Sequence, residues 1–412
     1  TTQVMGRSAI FMLRKVHNTN CFFLRTVSIR YLTTPTPESA TSVKGTLGNY
    51  DLNHPECNTP LNIASRIGTN LHHNNRHPLG IIKNIIENYW NEKENQENPS
   101  GAGFTCVDSL SPIVSTTANF DSLLIPSDHV SRSRSDTYYL RNDTVLRTHT
   151  SAHQVELLSK PYCYDKFLVT GDVYRRDEID KSHYPIFHQM EGVKVFSSID
   201  DIKVVEDDLK IGLEGMARTL FGDVEMRWVP AYFPFTEPSY ELEIHFQGEW
   251  LEVLGCGIIQ PGILRNAGRS EKDVGWAFGL GLERLAMVLF DIPDIRLFWS
   301  KDERFSKQFL PGKIVKFIPY SKYPPCFKDI TFWVPPEFHP NDLNELVRGI
   351  AGDLVEKIQL MDEFTHPKTQ RLSNCFRITY RSMDRSLTNE EIDDLQWKVR
   401  EAVIEKLGAE LR

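Results

Sequence analysis

The 412-residue chain contains no stretch of 18 uninterrupted apolar residues, so no membrane-spanning helix is expected. It also lacks any Cys-x-x-Cys pair. Its cysteines, at 21, 57, 106, 163, 256, 326 and 375, are scattered and odd in number, which argues against a disulfide framework or a zinc site and fits a reducing compartment. No repeat at a period of about 20 to 50 residues is evident. Acidic residues are missing from one place: residues 1–37 carry Arg7, Arg14, Lys15, Arg25 and Arg30 but no Asp or Glu, although the whole chain has a net charge of -8. That acid-free, Ser/Thr-containing start, with short apolar patches (IFMLRKV, CFFLRTVSIRYL) broken by Arg, reads as an organelle-import presequence and not as a secretory signal.

What is present describes a folded protein. The hydrophobic fraction is 40% and the aromatic fraction 11%, which excludes a disordered chain, and the length exceeds one typical core, so two domains are expected. HPLGIIKNIIENYW places Pro78 at a first helical turn, followed by Ile81, Ile82, Ile85, Ile86 and Trp90 at helical spacing. NEKENQENPSGAGF (91–104) reads as a loop. Strand-like runs dominate 105–290 (FLVTGDVYRR, IFHQMEGVKVF, YELEIHF, WLEVLGCGII) and predict a largely antiparallel sheet. GWAFGLGLERLAMVLF (275–290) is apolar almost all round a helix, with the helix at 280–290 packed on the sheet and Arg284 buried and in need of an anionic partner. Residues 291–327 read as a linker. From 328 the order strand, helix, strand, strand, helix, short strand is a ferredoxin-like βαββαβ unit, its second helix opened by a capping-box signature at Thr388 and Glu391.

Several stretches carry chemistry. In VTGDVYRRDEIDKSHYPIFHQMEG, strand alternation sets Arg175 and Asp177 on one face and, on the return arm, Gln189 and Glu191 together. Such a hairpin suits a phosphate and an amine at once; taken alone, it equally suits a solvated edge. LRTHTSAHQ gathers Arg147, His149, Ser151 and Gln154, all able to hydrogen-bond an anion or amide. VPAYFPFTEPS sets Phe233 and Phe235 two apart, on one strand face, able to clasp a third ring or simply to fill a core. Gly255 and Gly257 in LEVLGCGII mark either a close approach or a bulge.

In that order, VYRRD…FHQMEG, YFPFTEP, WLEVLGCG and GWAFGLGLERLAM resemble the catalytic core of the phenylalanyl-tRNA synthetases, class II aminoacyl-tRNA synthetases, and SKYPPCFKDITFWV resembles the start of their ferredoxin-like anticodon-binding domain. Both on one chain behind an import-like leader resemble the single-chain mitochondrial form, over roughly 60–412. The resemblance implies an α+β protein: presequence (1–37), class II antiparallel catalytic core with an N-terminal extension (38–290), linker (291–327) and anticodon-binding domain (328–412). It implies activation of L-phenylalanine with ATP and Mg2+, transfer to mitochondrial tRNA(Phe) in the matrix, and a monomer. By the same resemblance Arg175 holds the α-phosphate, Asp177 lies near the adenine amino group and Arg284 meets the γ-phosphate. Gln189, Glu191, His149, Ser151 and Gln154 surround the amino acid's amine and carboxylate, Phe233 and Phe235 flank its ring, and Ala277 lies below the para position. Glu241, Glu243 and Glu252 are candidate metal ligands among which the sequence does not choose. LSPIVSTTANFDSLLIPSDH departs from the usual first motif of the class in lacking Gly-Pro-Glu, which weakens any expectation of a dimer. An adenylate-forming ligase that charges no tRNA and an inactive RNA-binding relative are the alternatives.

Nucleic-acid binding is not served by overall charge. Locally, however, Lys368, Arg371, Arg377, Arg381 and Arg385 face only Asp384, with Phe376 and Tyr380 between them, the composition of a strand that stacks on and neutralises single-stranded RNA.

Overall fold

The computed structural model describes residues 45–199, 201–319 and 323–412; the presequence expected at 1–37 lies outside them. Among the described residues no helix is long and apolar enough to cross a membrane.

The larger N-terminal part is built on seven strands: β1 (Thr105–Val107), β2 (Lys166–Tyr174), β3 (Ile186–Phe196), β4 (Glu225–Phe233), β5 (Thr236–Phe246), β6 (Glu249–Ile259) and β7 (Val274–Gly281). Their spatial order is β1-β2-β3-β7-β6-β5-β4, antiparallel throughout except for the parallel β1–β2 pair at the edge. Helices α1 (Pro78–Glu97), α2 (Ile202–Phe221) and α3 (Leu282–Phe290) cover one face.

Helix α1 starts where expected. Pro78 occupies the first turn, the His77 ring caps Leu79 N–H at 3.3 Å, and Ile81, Ile82, Ile86 and Trp90 are buried. It runs on to Glu97, through the first half of the stretch read as a loop, because Glu, Lys and Gln are good helix formers and Lys93 pairs with Glu97 one turn on. Trp90 stacks on Phe278 at 5.4 Å between ring centres and packs at a tilt on Trp276 at 5.3 Å, fixing helix to sheet.

The helix expected at 280–290 forms over Leu282–Phe290, but the first part of the stretch 275–290 is not helical. That part is strand β7, and the reason is legible in GWAFGLGL: small residues alternate with large ones at period two. Trp276, Phe278 and Leu280 enter the core under the helices, while Gly275, Ala277, Gly279 and Gly281 take the other face. Only from Leu282 does the spacing become helical.

Residues 291–327 do not behave as a bare linker over their first part. Ile292, Ile295, Leu297, Phe298, Phe305, Phe309 and Phe317 are buried in the same core as α1 and α3.

The C-terminal unit follows the expected order: β8 (Cys326–Trp333), α4 (Pro340–Ala351), β9 (Val355–Thr365), β10 (Leu372–Tyr380), α5 (Asn389–Leu407) and β11 (Glu410–Leu411). The sheet order is β9-β10-β8-β11, all antiparallel. Thr388 caps α5 by accepting from Glu391 N–H at 3.2 Å; the reciprocal half of the box is absent, because the Glu391 carboxylate pairs with Arg385.

Candidate active site

Residues paired across an antiparallel ladder share a face. On the face of the seven-stranded sheet away from the helices, Gln189, Glu191 and Val193 of β3 stand opposite Gly281, Gly279 and Ala277 of β7. Beyond them lie Gly255 and Gly257 of β6, then Glu241 and Ser239 of β5. Polar side chains thus rise beside a floor of Gly and Ala, which Phe233 and Thr236 cover at Gly255 and Gly257, and this face is the candidate cleft.

One wall is the short helical turn Thr150–Leu158. Gln154 Nε2 donates to Glu191 Oε1 at 2.9 Å, and Thr150 N–H donates to Gln189 Oε1 at 3.1 Å. Burial pushes the Glu191 carboxyl up to about 7, with the polar side chains of Ser151, Gln154 and Thr150 around it opposing the rise. Glu191 Oε2, Gln154 Oε1, Thr150 Oγ1 and both ring nitrogens of His149 are buried without a hydrogen-bond partner among the described residues. Buried polar atoms left unpaired cost about 1–3 kcal/mol each, so this concentration, rich in acceptors, marks a place built to be completed by a donor-bearing ligand. Burial and the neighbouring Arg175 charge push His149 down to about 3, so its imidazole is neutral.

The aromatic pair lies on a turn and not on one strand face. β4 ends at Phe233, Pro234 and Phe235 form the reversal, and β5 begins at Thr236. The rings are nonetheless parallel, 5.9 Å apart with 9° between planes. Phe233 lies over Gly255, where a Cβ would come within 2.7 Å of its ring; the close approach permitted there is by this side chain. Phe235 reaches His149, 6.3 Å between ring centres, and packs on the cluster containing the buried Ala277. The backbone at Gly257 is closed off by Thr236 and the Pro238 carbonyl.

Arg175 follows the end of β2, with its backbone N–H on Pro185 O at 3.0 Å. Its Nε donates to Thr148 O at 2.8 Å and its guanidinium lies over the Phe187 ring at 5.1 Å, which orients the exposed fork. Arg284, expected to be buried, stands on the exposed side of the first turn of α3 and donates to Glu252 Oε2 at 3.0 Å. Glu283, its neighbour, is the buried member of the pair. Asp177 is half-buried, its Oδ1 accepting from Glu178 N–H at 2.8 Å. Of the three glutamates, Glu243 pairs with Arg227 and Glu252 with Arg284, while burial and repulsion from Glu252 and Glu243 raise the Glu241 carboxyl.

Arg147, grouped with His149 by sequence, is not available to a ligand. It is buried, donates to Asp172 O at 2.7 Å and to Asp172 Oδ1 at 2.9 Å, and lies 2.9 Å from His153 Nε2. Thr150 went unnoticed in the sequence, and the His188–Glu283 contact gave no signal there, because it joins residues 95 apart.

The RNA face expected on β10 is not formed as read. Phe376 and Tyr380 alternate into the domain core and cannot stack on bases. Arg377 pairs with Asp329 through two 2.8 Å bonds, Arg385 pairs with Glu391, Arg371 with Glu410 at 2.7 Å and Arg381 with the buried Glu356 at 2.5 Å. Lys368 is exposed with its ammonium outside any ion pair among the described residues.

A mostly antiparallel sheet with helices on one face, a polar cleft flanked by arginines on the other and a ferredoxin-like unit behind it define a class II synthetase. Comparison with known proteins agrees: residues 77–309 match the tRNA synthetases class II core domain (F), and residues 321–412 the ferredoxin-fold anticodon binding domain. The chain is 57% identical over 366 residues to the phenylalanine–tRNA ligase, chloroplastic/mitochondrial, of Arabidopsis thaliana, spanning 87% of this chain and 83% of that one. It is 48% identical over 406 residues to the phenylalanine–tRNA ligase, mitochondrial, of Mus musculus, spanning 90% and 89%. A phenylalanine–tRNA ligase alpha subunit of Prochlorococcus marinus is 42% identical over 210 residues, 51% of this chain and 59% of that one. The chain belongs to the phenylalanine–tRNA ligase family of class II aminoacyl-tRNA synthetases.

Proposed function

We propose that this cleft carries out the family's reaction, activation of L-phenylalanine by ATP and transfer to mitochondrial tRNA(Phe), with its two ends taking the two small substrates. The observation that carries the reading is the set of unpaired buried acceptors on Glu191, Gln154 and Thr150 close to a parallel phenylalanine pair. An amino acid with an aromatic side chain supplies what both lack: ammonium protons for the acceptors and a ring for the apolar wall. In this reading Gln189, Glu191 and Gln154 take the ammonium, Ser151 and the neutral His149 orient the carboxylate, and Phe233, Phe235 and Ala277 enclose the ring.

Arg175 and Arg284 then grip the α- and γ-phosphates, and Asp177 meets the adenine amino group. Guanidinium forks match phosphate oxygens, and Glu252 holds Arg284 extended until phosphate displaces it. The substrate carboxylate attacks the α-phosphorus, the bond to pyrophosphate breaks, and no enzymic base is needed. The site's contribution is alignment and stabilisation of charge on the phosphate oxygens. In the second step a ribose hydroxyl of the tRNA's terminal adenosine attacks the acyl carbon and AMP leaves.

Mg2+, bound with ATP, neutralises phosphate charge. No cluster of three or more ligand-type side chains is placed for a metal among the described residues. Mg2+ commonly takes one or two carboxylates and completes its shell with phosphate and water, which Glu241 and Glu252 suit, since a cation relieves the repulsion that raises Glu241.

For the tRNA, Lys368 and Arg371 remain the candidates at the end of the C-terminal sheet. There Arg371 and Arg412 lie over Trp333 at 4.8 and 5.5 Å, a cation and aromatic surface suited to an unpaired base. The relatives' names support a mitochondrial protein; a matrix location and a monomer complete the proposal. Phenylalanine-dependent ATP–pyrophosphate exchange, run beside tyrosine and followed by charging of tRNA(Phe), tests it. Exchange and charging with phenylalanine support the reading, exchange without charging favours an adenylate-forming ligase, and neither in folded protein favours an RNA-binding relative.

A further inference from the structure

The segment that joins β2 to β3 carries Arg175 and Asp177, yet its backbone is held by the other domain. Asn341 Nδ2 on α4 donates to Arg176 O at 3.1 Å. Arg348 Nη2, two turns further along α4, donates to Asp177 O at 3.1 Å and to Glu178 O at 3.5 Å. Ile358 N–H on β9 donates to Ile179 O at 3.1 Å. The carbonyls of 176, 177, 178 and 179 therefore all accept from the C-terminal domain, and the Ile179 side chain is buried in that domain's core. Arg176 adds a pair with Asp342 at 3.1 Å, and Lys181 one with Glu356 at 3.5 Å.

Arg348 is itself fixed. Its Nη1 meets Glu345 Oε2 at 3.1 Å, and Glu345 Oε2 accepts from the buried Tyr138 hydroxyl of the catalytic domain at 2.6 Å. The catalytic domain holds the two ends of this stretch, where Arg176 N–H donates to Asp136 O at 2.7 Å and Lys181 O accepts from Ile295 N–H at 2.8 Å; the carbonyls of 177–179 between them are ordered by the C-terminal domain, and ordering each residue costs about 1–2 kcal/mol.

We propose that Arg348 and Asn341 of the C-terminal domain are positioning residues for the first half-reaction: they hold the 176–179 backbone so that Asp177, and Arg175 just before it, are presented to ATP. The proposal rests on the reading that those two residues meet the nucleotide. It gives the domain matched to anticodon binding a second task, needed before any tRNA arrives. It also couples the two: whatever draws α4 away from the loop weakens the grip on ATP, and ATP by the same factor favours the docked arrangement.

The test is phenylalanine-dependent ATP–pyrophosphate exchange by the full chain, without tRNA. Arg348→Ala raises the KM for ATP about tenfold while the KM for phenylalanine stays within about twofold; Asn341→Ala raises the former about threefold, and Arg348→Lys restores part of the Arg348→Ala loss. Asp177→Ala and Arg175→Ala are measured in parallel. If they raise the KM for ATP and the α4 variants do not, the positioning proposal fails and the nucleotide reading stands. If neither raises it, the nucleotide reading fails and the proposal with it. A parallel rise in both KM values for Arg348→Ala and Asn341→Ala means general loosening and also overturns the proposal. Should Arg348→Ala not fold, Asn341→Ala decides alone.

Discussion

Glu283 and His188 form a buried clip between α3 and β3. One carboxylate oxygen accepts from the His188 backbone N–H at 2.7 Å, and the other lies 2.7 Å from its Nδ1. The residues beside them in sequence are Arg284 and Gln189, assigned to opposite ends of the cleft, so the clip fixes one end against the other. Glu283→Ala leaves the histidine N–H groups buried and unpaired, at a cost of about 3 kcal/mol. Its melting temperature falls by about 6–10 °C, measured by circular dichroism; a fall under about 2 °C would show that the clip adds little.

Glu191 makes substrate binding depend on pH. Burial raises its carboxyl from 4.5 to about 7, so the folded protein holds a proton that the unfolded chain gives up. Its contribution to stability is therefore full below about pH 4.5 and lost as pH rises through about 7. Phenylalanine affinity runs the opposite way, because the ammonium prefers the carboxylate: the Kd falls as pH rises toward about 7 and levels off above it. Calorimetric titration across that range checks the trend, and Glu191→Gln should flatten it, near wild type at low pH and weaker at pH 7 and above. A wild-type Kd independent of pH would remove Glu191 from the ammonium site.

Ala277 sits on β7 between Val193 and Gly257, in the cluster on which Phe235 packs. Ala277→Gly opens the floor by one methyl, and the ratio of kcat/KM for tyrosine to that for phenylalanine rises about tenfold or more, since an apolar pocket rejects an added hydroxyl only by about a hundredfold to begin with. Pyrophosphate exchange with each amino acid measures the ratio. An unchanged ratio would place the para position elsewhere.

The C-terminal cations should not contribute alike to tRNA binding. Arg377 is already engaged by Asp329 through two bonds, whereas Lys368 has no ion pair among the described residues. Lys368→Ala lowers the slope of log affinity against log salt by about one, and Arg377→Ala leaves it within about 0.3 of wild type. Filter binding of tRNA(Phe) at several salt concentrations distinguishes them; equal effects would mean that RNA breaks the Arg377–Asp329 pair.

Much of the architecture was legible where periodicity is strong. The βαββαβ unit and the start of α1 followed from apolar spacing, Pro78 and Thr388. The helix was placed within two residues of its start, but the strand before it was missed because overall apolarity hid the alternation of Trp276, Phe278 and Leu280 with Gly and Ala; the same all-round apolarity suggested a buried Arg284 when Glu283 is the buried residue. Residues 291–327 looked like a linker because of their two Pro turn signals and the charged SKDERFSK; the phenylalanines among them are irregularly spaced, and only their packing against α1 and α3 gives them a role. Within the site, residue types on β3 and the 149–154 turn were readable, whereas their pairing was not. Gln154 and Glu191 lie 37 residues apart, and no local pattern encodes a 2.9 Å bond between them. Phe376 and Tyr380 misled because a strand with alternate aromatics looks the same whether those aromatics face RNA or a core.

The central claim is that one cleft has two chemically separate ends, and equilibrium binding of phenylalanine and of ATP, each measured alone on Glu191→Ala and Arg284→Ala, tests it most directly. Arg284 is exposed, so its loss should leave the fold intact. Glu191→Ala should weaken phenylalanine at least about thirtyfold and ATP less than about twofold, and Arg284→Ala should do the reverse. Variants that each weaken both ligands, or neither, in protein with an unchanged melting profile would contradict this account.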